Sequence, residues 1–110
     1  MKRGLLWALI LVVAVAVPAV FAAKGDAAKG KTLFASKCGT CHGPDGAGKE
    51  AIAKMMKVEM KPLSSKEVQE KTDAQLADII NKGTGKMKPV AGLKEAEVAD
   101  IIAFVRSLKK

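Results

Sequence analysis

The chain divides into one unbroken apolar run and several periodic ones. Leu5 to Val17 is almost wholly apolar, with Lys2 and Arg3 before it and Pro18 and the small-residue stretch AVFAA after it. Beyond that run, Ala27, Gly30, Lys31, Phe34 and Cys38 mark a stripe at a spacing near 3.6. With Asp26 placed to cap it, the stripe predicts a helix over 26–37. Leu76, Ile79 and Ile80 make one face of a second helix, opened by Thr72-x-x-Gln75 in capping-box form and closed at Gly83. Val98, Ile101, Ile102, Val105 and Leu108 stripe a third over 94–108. Glu95 and Glu97 stand near its start and Arg106, Lys109 and Lys110 at its end, as the helix dipole favours. Residues 51–60 predict one or two methionine-rich helical turns, and Ser64 or Ser65 a cap for a short turn carrying Val68. GPDGAGK and GTGKMKPVAG are loops. No stretch alternates as a strand would, so the expected fold is a small all-α domain.

The N-terminal run has the parts of a secretory signal: a basic start, a short apolar segment and a small-residue exit. Val20 and Ala22 suit the positions three and one before the cut, giving a signal peptide over 1–22 and a domain over 23–110. The alternative is a retained anchor. Leu5 to Ala23 is 19 residues, close to the roughly 20 that span a bilayer, although Pro18 interrupts it. Cleavage leaves 88 of the 110 residues, and losing Lys2 and Arg3 takes the formal charge from +8 to +6.

Trp7 and Phe21 leave with the signal, so Phe34 and Phe104 are the remaining aromatics. A domain of this size with two aromatics builds a thin core, and something else is expected to fill its middle. The positive charge points to acidic partner surfaces or anionic membrane faces. A secreted protein without stacking aromatics is not expected to bind nucleic acid.

SKCGTCHGPDG, residues 36–46, holds both cysteines and the only histidine. C-x-x-C-H is the pattern of covalent haem attachment. Each thiol adds to one haem vinyl group, and the adjacent His42 turns its imidazole onto the iron. The haem would also supply the missing apolar body. Zinc would need four protein ligands and would have to recruit a carboxylate such as Asp45. A thioredoxin-like pair would need a βαβ setting, and a disulfide closing so small a loop would restrain little of the unfolded chain.

With these residues the chain resembles the small class I c-type cytochromes of bacterial periplasms. The resemblance covers essentially all of 24–110 and rests on GKTLFASKCGTCHGPDGAG, KTDAQLADIINKGTGKM and EVADIIAFVRSL. It implies a cytochrome c fold of three to five helices around one covalent haem c. It also implies that the first and last helices cross closely at Gly30, with Phe34 meeting Phe104.

One histidine excludes bis-His ligation within a monomer, the expected state. Methionine, lysine or an open position remain for the sixth site, and Met55, Met56, Met60 and Met87 are the methionines beyond the signal. Met87 follows Gly83-Thr84-Gly85 and precedes Pro89, in a loop shaped to hold one conformation. The others lie where gap-filling is the usual task of methionine. The resemblance also favours Met87, since family members carry the ligand in a G-x-G-x-M-P-like loop, but here Lys88 separates Met87 from Pro89. It further implies that a proline carbonyl, from Pro44 or Pro62, orients the His42 ring.

Two protein ligands leave the iron no place for substrate, so the expected function is periplasmic single-electron transport, not catalysis. Acidic redox partners would dock near Lys37, Lys82, Lys86 and Lys88, and membrane contact is expected only if the signal is retained. The alternatives are a five-coordinate haem that binds or senses a small gas, and the haem subunit of a larger redox enzyme.

Overall fold

The computed structural model describes residues 25–110, so the expected signal peptide and its anchor alternative lie outside the described residues. Six helices follow in order: α1 (Ala27–Lys37), α2 (Gly39–His42), α3 (Glu50–Met56), α4 (Lys66–Gln69), α5 (Asp73–Lys82) and α6 (Glu95–Ser107). Among the described residues the only β-type pairing is an isolated bridge between Thr84 and Met87. The helix count exceeds three to five because two four-residue turns, α2 and α4, stand as separate elements.

The capping expected from local chemistry is present. The Asp26 carboxylate accepts from the Ala28 and Lys29 amides and starts α1. Thr72 and Gln75 exchange reciprocal side-chain bonds at the head of α5, each satisfying an orphan donor. Gly83 ends α5 at φ 74°. Ser65, not Ser64, precedes α4, but its side chain makes no cap bond.

The core is built where α1, α5 and α6 meet: Phe34 and Cys38, then Leu76, Ala77 and Ile80, then Val98, Ile101, Ile102, Phe104 and Val105. Along the first stripe Gly30, Phe34 and Cys38 are buried while Lys31 is exposed, its charged end keeping it in solvent. α1 and α6 cross where Gly30 faces the backbone of Asp100, and a Cβ there would collide with the Asp100 carbonyl. The Asp26 amide donates to the Asp100 carboxylate at 2.7 Å, closing the start of α1 onto α6. Phe34 and Phe104 lie with ring centroids 5.1 Å apart, tilted by 49°, a favourable aromatic geometry.

Arg106 ties the far end of α6 to the α4–α5 connection. Its guanidinium donates to the Asp73 carboxylate and to the carbonyls of Gln69 and Lys71. Gln69 in turn donates to the carbonyls of Leu63 and Val105, both at 2.8 Å. α3 and α4 bury no residue fully, but Val68 of α4, like Leu63 before it, packs half-buried against the α1–α5–α6 core.

Candidate functional site

Cys38, Cys41 and His42 lie on one helical turn. Cys38 ends α1, its amide donating to the Phe34 carbonyl, and its own carbonyl accepts from the Cys41 and His42 amides at 3.2 and 3.0 Å. Positions i, i+3 and i+4 share one face of a helix, so the spacing presents two thiols and an imidazole together. Gly43 stops the turn at φ 73°, its amide donating to Gly39. The chain then folds back: the Gly48 amide donates to the His42 carbonyl at 2.7 Å and the Lys49 amide to the Cys41 carbonyl at 3.0 Å. The glycines that read in sequence as loop residues therefore clamp the backbone of the motif.

Both thiols are free, with Cys38 buried and Cys41 half-buried. Burial pushes the Cys38 thiol up to about 11. A thioredoxin-like pair needs a depressed thiol, so this environment opposes disulfide exchange. Among the described residues no three His, Cys, Asp or Glu side chains gather as a metal cluster. Asp45 instead accepts from the Ala47 amide within its own turn.

His42 packs beside Phe34, ring centroids 6.2 Å apart. Burial lowers its pKa and favours the neutral imidazole, the form that ligates a metal. Its Nδ1 is buried without a hydrogen-bond partner. Neither proline carbonyl expected to orient the ring reaches that nitrogen. Pro62 instead accepts from the Ser65 amide at 2.9 Å, and Pro44 is an exposed turn residue. Two uncommitted thiols on one helical face beside a neutral imidazole fit a covalently attached haem.

The four methionines occupy different settings. Met55 is 71 % exposed. Met60 lies against Gly48, its Cγ 3.2 Å and its sulfur 3.4 Å from where a Gly48 Cβ would stand. That position places Met60 on the loop hydrogen-bonded to His42. Met56 and Met87 are half-buried. Met87 exchanges two backbone bonds with Thr84, at 3.0 and 2.9 Å, and the Val90 amide donates to the Ile80 carbonyl at 2.8 Å. The loop is thus held at both ends, and Gly83 is required because a Cβ there would meet the Met87 carbonyl and the Pro89 ring.

The lysines expected near a docking face are not equivalent. Lys82 reaches Asp78 at 3.7 Å in an exposed helical pair. The Lys86 ammonium donates to the Met56 carbonyl at 2.5 Å, joining the Met87 loop to the end of α3. No pattern in the sequence signals that bond, because its partners are 30 residues apart.

Comparison with known proteins accords with this geometry. The cytochrome c family profile matches residues 27–109. Cytochrome c-554(547) of Halothiobacillus neapolitanus is 31 % identical over 91 residues, covering 77 % of this chain and 99 % of that protein. The solved structure of the KustC0563 c-type cytochrome superposes with a TM-score of 0.63 at 30 % identity, covering 74 % of this chain and 98 % of that one.

Proposed function

This chain belongs to the cytochrome c family, and we propose that it is a periplasmic single-electron carrier whose haem c is ligated by His42 and Met87. Haem c supplies an iron that changes by one electron between its ferrous and ferric states. Cys38 and Cys41 would tether it by thioethers, since the turn that runs from Cys38 through α2 keeps both thiols on the same face as His42. His42 supplies the imidazole, kept neutral by burial and packed against Phe34.

One observation carries the choice of the second ligand: the Met87 loop is closed by paired backbone bonds and anchored at both ends, which fixes where that side chain starts. Met60, the next candidate, is accounted for by its packing on Gly48. Met/His ligation would leave the iron no open position for substrate and would raise its potential, which suits a carrier and not a catalyst.

Visible spectra of the oxidised and reduced protein, with and without carbon monoxide, test this reading. The expected result is a low-spin iron in both states with a reduced spectrum that carbon monoxide leaves unchanged. Ready carbon monoxide binding would assign the five-coordinate alternative instead.

Processing is tested separately. Lys2-Arg3 and Val20-x-Ala22 predict that the periplasmic protein begins at Ala23 and carries the mass of one haem. Intact-mass measurement that finds only the full-length chain, recovered from membranes, would establish the anchor.

A further inference from the structure

Three features fall on the consecutive residues Met55, Met56 and Lys57 at the end of α3. Met55, at 71 % exposure, is the large hydrophobic side chain left in solvent among the described residues. Lys57 is the non-glycine residue at positive φ, 53°, among them. It serves as the left-handed end of α3, its amide donating back to Ala53 and Lys54. Glycine takes that conformation freely, while a side chain there carries a steric penalty. Between the two, the Met56 carbonyl receives the Lys86 ammonium from the Met87 loop. A lone exposed methionine is ordinary. It coincides with a strained lysine and with a side-chain hydrogen bond from the Met87 loop to α3, and neither of these requires an apolar side chain in solvent at position 55.

We propose that this end of α3, with Met55 at its centre and Lys57 and Lys86 at its rim, is the surface on which an acidic redox-partner protein docks. The inference rests on the electron-carrier reading above and names the surface through which electrons would enter or leave.

Charge decides the occupant. Of the nearby acids, Glu50 pairs with Lys54 and Glu67 with Lys61, both at 3.1 Å, while Glu59 forms no ion pair. Among the described residues Lys57 and Lys86 have no acidic partner within ion-pair distance. With Lys2 and Arg3 removed with the signal, the domain keeps a formal charge of +6, and such a rim attracts acidic surfaces and repels a second copy of itself. One exposed methionine on a seven-residue helix offers a compact apolar contact, suited to a protein surface and too small to bury in a bilayer.

Stopped-flow reduction of the holoprotein tests the patch, with reduced flavodoxin as an acidic protein donor and hydroquinone as a small neutral one. Met55→Gln and Lys57→Gln should each slow reduction by flavodoxin about three- to fivefold at low salt. The Lys57→Gln deficit should close as salt rises, since screening removes charge steering, while the Met55→Gln deficit persists. Both variants should match the parent with hydroquinone. Lys57→Gly should raise the melting temperature while slowing flavodoxin, because it releases strain and deletes the charge together.

Parent rates with flavodoxin in both Gln variants would overturn the patch while leaving the carrier reading intact. Equal slowing with hydroquinone would overturn it too, since the defect would then lie at the haem. Parent flavodoxin rates, with binding to phosphatidylglycerol vesicles lost in Met55→Gln, would reassign the surface to membrane. A parent protein that binds carbon monoxide and takes electrons from neither donor would sink both readings.

Discussion

Met87→Ala is expected to keep its covalent haem and lose its potential. The substitution leaves Cys38, Cys41 and His42 on their turn, with the backbone bonds among 38, 41, 42, 48 and 49 intact. It also leaves the Thr84–Met87 bridge, which is made by main chain alone. Haem content should therefore stay near that of the parent. The proposed thioether ligand is gone, and water, a lysine or an open position takes its place. The potential should fall on the order of 0.2 V, a fraction of the roughly 0.8 V that axial ligation spans. The reduced protein should bind carbon monoxide where the parent does not.

Met60→Ala is the control. It removes a side chain from Gly48 and should cost about 1–3 kcal/mol of stability, less than a fully buried methionine, with the potential unmoved. If Met87→Ala keeps the parent potential and excludes carbon monoxide while Met60→Ala does neither, the sixth ligand belongs to the middle segment.

Gly30→Val should be the most destabilising single change in α1. A side chain at Gly30 meets the Asp100 carbonyl and the Phe104 Cβ. Neither can rotate aside, because both are fixed to the backbone of α6. The helices must separate, opening the contact between Phe34 and Phe104 beside which Cys38 is packed. Overpacking of this kind costs about 3 kcal/mol or more, against which the better helix propensity returns at most ~1 kcal/mol. For a domain of this size a net loss of about 2 kcal/mol lowers Tm by roughly 8–16 °C. Lys29→Ala, one residue away and exposed, should melt with the parent. Equal melting of Gly30→Val and the parent, followed by circular dichroism, would show that the α1–α6 crossing does not limit stability.

Short-range physics made much of this molecule legible from its residues. Asp26 with the Ala28 and Lys29 amides, Thr72 with Gln75, and Gly83 at the end of α5 are interactions completed within about one turn. The i, i+3, i+4 placement of Cys38, Cys41 and His42 is equally local, so the chemistry of the site was readable before the fold. The 3.6-residue stripes named most of the α6 face, and Leu76 and Ile80 on α5, because burial of an amphipathic helix needs only periodicity, but they passed over the buried Ala77 and included the half-buried Ile79. They misplaced Lys31, whose position fits the stripe but whose charge keeps it in solvent.

What only the tertiary structure decided involves groups far apart in the chain. Asp26 bonds Asp100, 74 residues on. Arg106 gathers Asp73 and the Gln69 carbonyl. Met60 lies on Gly48, and Lys86 reaches the Met56 carbonyl. Neither proline carbonyl reaches His42 Nδ1, although a turn at each position was foreseeable. A capping or periodic pattern requires particular side chains at fixed short spacings, so it leaves a mark in sequence. A lysine that finds a backbone carbonyl 30 residues away requires only that folding bring the two together, and since every residue has a carbonyl, no residue type marks its place.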